Sequence, residues 1–337
     1  MARFYLPFAA AVVASTVALA QDAPKCEIDR PVVFAGLNYD SAQFHTKLAQ
    51  FIIENGYGCQ VDALPGGPEV LINGLAQGNI DVIMEIWTSN PAPAWVKAEK
   101  EGKVTALGTA FPSTVEGWFV PTSVVSGPDA VAPDLKSVSD LPAHKELFTD
   151  PEEPDKGRFY NCPAAWVCQN VNTKKLEAYR LLDDYTNFPT GSEAAIVAAA
   201  ESGALRNKPV LFYYWGPTAL LGRHAFTQLE EPPFDKKVWD AMLAAEHPTA
   251  ATAYPSGKVI VGANKAFAQS APTIAAFLNS YANTTEATQK AQAFMADNKD
   301  QTGEAAAKNF LMDNENMWTE WVPDDVAARI KAALGAN

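Results

Sequence analysis

The sequence predicts an α/β protein built as two domains. Its 337 residues exceed one ordinary domain and leave each of two enough chain to bury a core. Short apolar runs of strand length alternate with amphipathic segments of helix length, first over residues 31–101 and again over 157–215. Those runs are apolar nearly throughout, as in strands covered on both faces of a parallel sheet.

The elements follow in order. Pro31–Gly36 reads as a strand, and the loop Leu37–Ser41 leads into a helix with Phe44, Leu48, Phe51 and Ile52 on one face, Asp40 or Ser41 being its expected cap. That strand–turn–helix unit is expected to leave backbone N–H groups free for an anion. Gly58–Leu64 is the second strand, Pro68 opens a short helix, and Val82–Trp87 is the third strand, so the β-α-β-α-β order implies parallel pairing with right-handed crossovers. A helix over 91–101 carries Trp95 as a packing residue, and Val115–Pro121 is an extended exit from the first domain. The second unit reads as strands at Gly157–Tyr160, Tyr185–Phe188 and Lys208–Trp215, with an Ala-rich helix capped by Ser192. From about Phe226 the character changes. Val259–Gly262 is a strand, and helical periodicity fills most of 264–335, packing back on the first domain.

Composition narrows the function. The chain is 48% hydrophobic and 19% charged, which is globular, and its formal charge of -13 without a basic patch argues against a nucleic-acid partner. Arg3, the apolar stretch Phe8–Val17 and Ala18-Leu19-Ala20 read as a secretion signal over residues 1–20, with a mature start at Gln21 and a periplasmic, soluble product expected. Four cysteines suit an oxidising compartment. Cys26 and Cys59 lie at the same edge of neighbouring strands and Cys162 and Cys168 are close in sequence, so pairs 26–59 and 162–168 are expected. The four histidines are scattered, each with an expected surface or capping role, and none stands at metal-ligand spacing from the cysteines, so no metal and no cofactor is expected.

The residues that suggest a site are aromatic. Glu85 and Trp87 are two apart on one strand and share a face, where an aromatic ring and a carboxyl group together would suit a small cation. Trp118 on the exit segment, Trp166 at a helix start and Trp215 at a strand end occupy comparable places. Tryptophans converging on a cleft would form a cage for a quaternary ammonium group.

Three segments carry a family resemblance: Ile80–Trp87, Gly157-Arg158-Phe159-Tyr160-Asn161-Cys162-Pro163 with Trp166 and Cys168, and Tyr214-Trp215-Gly216-Pro217. The chain resembles the substrate-binding proteins of glycine betaine/choline-type ABC importers. The resemblance implies a type II clamshell of two α/β lobes joined by two hinge crossovers, with 21–116 and 227–337 as the first lobe and 117–226 as the second. It implies cage walls at Trp87, Trp166 and Trp215 with Trp118 as a fourth. A ligand carboxylate would meet the Gly36 and Leu37 amides, which an ionised Glu85 would oppose. The implied ligand is a small methylated ammonium or sulfonium compound, among glycine betaine, choline, trimethylamine N-oxide and dimethylsulfoniopropionate, and the implied partner is an ABC permease, served by a monomer. Two other readings stay open. An exported hydrolase or lyase on such compounds lacks a G-x-S-x-G or H-E-x-x-H motif here, and a sensor docking on a receptor would use the same clamshell.

Overall fold

A computed structural model describes residues 1, 24–300 and 302–335; the expected secretion signal, from residue 2 onward, lies outside them. Ten strands are described: β1 (Val32–Gly36), β2 (Val61–Pro65), β3 (Val82–Trp87), β4 (Val104–Phe111), β5 (Val115–Pro121), β6 (Gly157–Asn161), β7 (Tyr185–Pro189), β8 (Leu211–Gly216), β9 (Phe226–Gln228) and β10 (Val259–Asn264). They form two five-stranded sheets, ordered β2-β1-β3-β10-β4 and β7-β6-β8-β5-β9.

Both sheets are mixed. β1 pairs in parallel with β2 and β3, as the β-α-β-α-β pattern predicts, but β10 runs antiparallel between β3 and β4. β10 is buried along its whole length, which places it centrally, and it arrives from the second lobe against the direction of its neighbours. In the second sheet β6 is parallel to β7 and β8, and β5 antiparallel to β8 and β9. Helices flank each sheet. On one face of the first, Phe34, Val82, Met84 and Val261 pack with Phe44, Leu48 and Ile52 of helix Asp40–Tyr57 and with Phe277, Phe310 and Trp318 of the C-terminal helices. On the other face, Ile83 and Ile86 pack with Leu71, Ile72, Leu75 and Trp95, and each such side chain contributes about 1.5–3 kcal/mol on burial. Trp95 lies against Gly262, where a Cβ would come within 2.7 Å of the indole, so only glycine lets that ring approach the sheet.

Sheet membership bears on where the lobes divide. Val115 and Glu116 already pair in β5, and beyond residue 226 the chain continues through β9 to helix Lys236–Ala244, whose Trp239 and Met242 share a core with Tyr213 and Tyr254. We therefore place the crossovers at residues 112–114 and 254–258, in place of the expected divisions after 116 and 226.

Both expected cysteine pairs are bonded, Cys26 to Cys59 and Cys162 to Cys168. The first closes a separation of 33 residues, which by loop-closure entropy stabilises the lobe by on the order of 4 kcal/mol. One histidine departs from expectation. His45 is fully buried, its Nδ1 2.6 Å from the Tyr281 hydroxyl and its Nε2 3.2 Å from Thr288 Oγ1. Burial lowers its pKa to about 3, so it is a neutral core residue with both ring nitrogens satisfied. His144, His224 and His247 sit beside Asp134, Glu201 and Glu177. Among the described residues no helix is long and apolar enough to cross a membrane, and no cluster of His, Cys, Asp and Glu could hold a metal ion.

Candidate functional site

The carboxyl ends of β3 and β8 face each other across a cavity between the lobes, of about 80 Å³. That volume suits a molecule of a few heavy atoms rather than a drug-sized one. From the first lobe come Glu85 and Trp87 of β3 and Tyr39 of the loop after β1. From the second come Trp166, Cys168, Tyr213, Trp215 and the β5 residue Glu116.

The shared face of Glu85 and Trp87 is realised as a contact: the Trp87 indole N–H donates to Glu85 Oε2 at 3.0 Å. Glu85 is buried, its Oε1 has no hydrogen-bond partner, and burial pushes its pKa up to about 8, opposed by the nearby Ser41, Trp87 and Tyr39 donors. At neutral pH it is therefore a neutral acid. With Oε2 accepting from Trp87, Oε1 is free to carry the proton and donate it as a hydrogen bond. Trp166, Trp215 and Tyr39 form a mutually edge-on trio, with centroids 5.2 Å apart for Trp166–Trp215 and Tyr39–Trp166 and 6.5 Å for Tyr39–Trp215. Trp87 packs edge-on against Phe111 at 5.6 Å.

Glu116 is the second carboxyl group of the cavity. It accepts from Ser89 Oγ at 2.8 Å and from the Tyr213 hydroxyl at 2.7 Å, one oxygen each, so it ties a first-lobe loop to the second-lobe sheet. Burial raises its pKa, and those two hydroxyls and the Lys175 charge oppose the rise. No Lys, Arg or His lines the cavity among the described residues.

The lobes are closed on each other. The Trp166 indole donates to Asn38 Oδ1 at 3.0 Å, Gln292 Nε2 donates to the Pro217 carbonyl at 2.9 Å, and Arg223 pairs with Asp297. A Cβ on Gly67 would come within 2.7 Å of the Ala165 carbonyl oxygen, so the two rims touch backbone to backbone.

Three expected site residues are not in the cavity. Trp118 is fully buried in the second lobe, 4.5 Å from Phe159 and 5.9 Å from Tyr179 between centroids, with its N–H on Asn172 Oδ1 at 2.8 Å. It shares a strand face with Glu116 but lies one pleat deeper in the sheet, so Glu116 takes the place at the cleft. Trp118→Phe is therefore expected to lower the melting temperature by several degrees and to leave ligand affinity within twofold, measured by thermal denaturation and titration calorimetry. Gly36 abuts the Leu64 carbonyl and Leu37 is buried in the core, so neither faces the cavity; Tyr39 represents their loop there. Tyr39 is also the N-cap of helix Asp40–Tyr57, without a side-chain cap bond, in place of the expected Asp40 or Ser41. The expected anion site is filled from the other lobe: Glu193 Oε2 accepts the Asp40 N–H at 3.0 Å while its Oε1 takes the Tyr214 hydroxyl. Tyr39, Tyr213 and Glu116 are among the cavity residues that sequence reasoning missed. Their signals were present, as a tyrosine in the singled-out loop, the aromatic run before Trp215, and the glutamate two residues before Trp118.

Comparison with known proteins identifies the family. The family described as the substrate binding domain of ABC-type glycine betaine transport systems (OpuAC) matches residues 30–313. A trimethylamine N-oxide-binding protein of Pelagibacter ubique (strain HTCC1062) is 24% identical over 311 residues, covering 92% of this chain and 96% of the relative. Among solved structures, an ABC-transporter choline-binding protein in complex with choline superposes with a TM-score of 0.72 at 16% identity, covering 90% of this chain and 98% of that one. The glycine betaine/L-proline-binding protein of Borrelia burgdorferi does so with a TM-score of 0.69 at 18% identity, covering 89% and 100%. Those structural likenesses show the two-lobe type II binding-protein fold. With two mixed sheets, a cavity at their facing strand ends and a family match over most of its length, the chain belongs to the substrate-binding domain family of ABC-type glycine betaine transport systems.

Proposed function

We propose that this protein captures a methylated ammonium compound that lacks a carboxylate, trimethylamine N-oxide foremost, and presents it to an ABC permease without altering it. The observation that carries this reading is a cavity lined by Trp87, Trp166, Trp215 and Tyr39 with two carboxyl groups, Glu85 and Glu116, and, among the described residues, no cationic side chain. Each well-placed ring attracts the methylated nitrogen by roughly 0.5–2 kcal/mol once water is excluded. Glu85, held neutral, supplies the donor that an N-oxide oxygen needs, and its unpaired Oε1 is the atom for it.

The carboxylate of glycine betaine or dimethylsulfoniopropionate would have no cationic partner there, and the Asp40 amide that could receive it is engaged by Glu193. The trimethylamine N-oxide-binding relative supports the same choice. Choline is the second reading, favoured by the two acids, with its hydroxyl on Glu85 and its charge offset by Glu116. Closure follows to the extent that the ligand binds the closed lobes better than the open ones.

Calorimetric titration at neutral pH with trimethylamine N-oxide, choline, glycine betaine and dimethylsulfoniopropionate tests this. The expected result is one-to-one binding tightest for the N-oxide, at least tenfold weaker for both carboxylates, and unchanged ligand by proton NMR. Tightest binding of a carboxylate would refute the choice of ligand, and conversion of any of them would favour an exported enzyme.

A further inference from the structure

The second-lobe rim of the cavity is closed by a covalent loop. Cys162 follows directly on β6, and Cys168 is the second residue of helix Val167–Ala178. Their bond spans a sequence separation of 6, and Trp166 stands inside that loop, at the N-cap of the helix in extended conformation. Apart from the bond, the Trp166 backbone is tied by its N–H to the Pro163 carbonyl at 2.9 Å, within the same loop, and by its carbonyl to the Gln169 N–H at 3.2 Å. The two sulfurs have different surroundings. Cys162 is fully buried, and the Asn172 amide donates to its Sγ at 3.7 Å. Cys168 borders the cavity.

We propose that the Cys162–Cys168 disulfide is the positioning element for Trp166 and that a molecule seated in the cavity shields it, which makes ligand capture sensitive to thiol exchange at this bond. The affinity part rests on the proposed reading of the cavity; the positioning part does not. When the lobes part, a dithiol reductant reaches the bond from the cavity side, where Cys168 lies. Its thiolate attacks Cys168 Sγ, the S–S bond breaks, and Cys162 leaves as a thiolate that accepts the Asn172 N–H and then a proton. The second thiol of the reductant resolves the mixed disulfide, releasing Cys168 as a thiol and the reductant as a cyclic disulfide, so two electrons and two protons pass to the protein. The loop 163–167 then loses its closure and Trp166 its fixed place against Trp215 and Asn38. Cys26–Cys59, in the first lobe away from the cavity, is the internal control.

The test uses the whole folded protein with dithiothreitol, with and without saturating trimethylamine N-oxide, followed by alkylation and peptide mapping. With Cys26–Cys59, half-buried at Cys26, as the reference whose rate the ligand leaves unchanged, the ligand is expected to slow reduction of Cys162–Cys168 at least tenfold. Protein reduced at that bond alone is expected to keep its thermal transition, to bind at least tenfold more weakly, and to show faster amide hydrogen exchange over residues 163–168. That exchange decides the positioning claim even if no onium compound binds, an outcome that would count against the ligand reading instead. Unchanged exchange after verified reduction, or wild-type affinity in a Cys162→Ser/Cys168→Ser variant, would overturn the proposal. So would an equal loss of affinity in a Cys26→Ser/Cys59→Ser control, which would mean general loosening.

Discussion

Trp215→Ala is expected to weaken binding of the cognate methylated ammonium compound by about 100-fold, the combined loss of one desolvated cation–π contact of about 2 kcal/mol and about 1 kcal/mol of apolar contact. Trp215 has this weight because it stands at the end of β8 and meets the ring of Trp166 at 5.2 Å, that of Tyr214 at 4.4 Å and that of Tyr39 at 6.5 Å. Its removal opens one side of the cage and loosens a second. Trp215→Phe keeps a ring face of smaller area and is expected to lose about tenfold. Titration calorimetry on both variants, with circular dichroism melting to verify folding, reads the effect. Undiminished affinity in a folded alanine variant would place the ligand elsewhere.

The second large effect is a pH profile set by Glu85. Because its pKa is raised to about 8, the carboxyl group is protonated, and a donor, below that pH. Affinity for an N-oxide is expected to be flat in mildly acidic to neutral solution and to fall by up to tenfold per pH unit as pH rises through about 8. For choline the sign reverses, since the ionised form favours a cation and affinity climbs with pH up to about 8. Glu85→Gln carries a permanent donor, so the N-oxide profile becomes flat with affinity within several-fold of wild type. Stability responds to the same proton in a lower pH window. The folded state binds this proton more tightly than the unfolded chain, so its contribution is full below the ordinary carboxyl pKa of about 4.3. It is lost, at up to about 1.4 kcal/mol per unit, as pH rises from there to about 8, and changes no further above it. Ligand-free Glu85→Gln is accordingly expected to melt above wild type at alkaline pH. Titrations and melts across this range check both statements, and a wild-type profile without inflection would contradict them.

Much of the fold was legible because its central strands are apolar along their length. β3 and β8 are buried nearly throughout, and such runs have few other uses in a chain of this composition. β4 was missed for the opposite reason. Its sequence, VTALGTAF, is small and half-buried, and its strand character depends on β10, which arrives from far along the chain. Gly108 there is pressed against the carbonyls of Leu278 and Tyr281, a constraint that local pattern does not carry.

The site was legible to the extent that strand alternation fixes a face. Alternation put Glu85 with Trp87, and their hydrogen bond is the outcome. It could not fix depth, and so Trp118 was expected at a cleft that Glu116 occupies. Nor could it foresee partners from the other lobe. The free amides expected near Gly36 and Leu37 became an Asp40 N–H held by Glu193, 153 residues away in the chain.

The most direct test of the central claim is intermolecular NOE spectroscopy between the N-methyl protons of bound trimethylamine N-oxide and the tryptophan side chains. The cavity as described predicts contacts to Trp87, Trp166 and Trp215 and none to Trp118 or Trp95. Contacts to Trp118, or a bound ligand with none to the three cavity tryptophans, would contradict it.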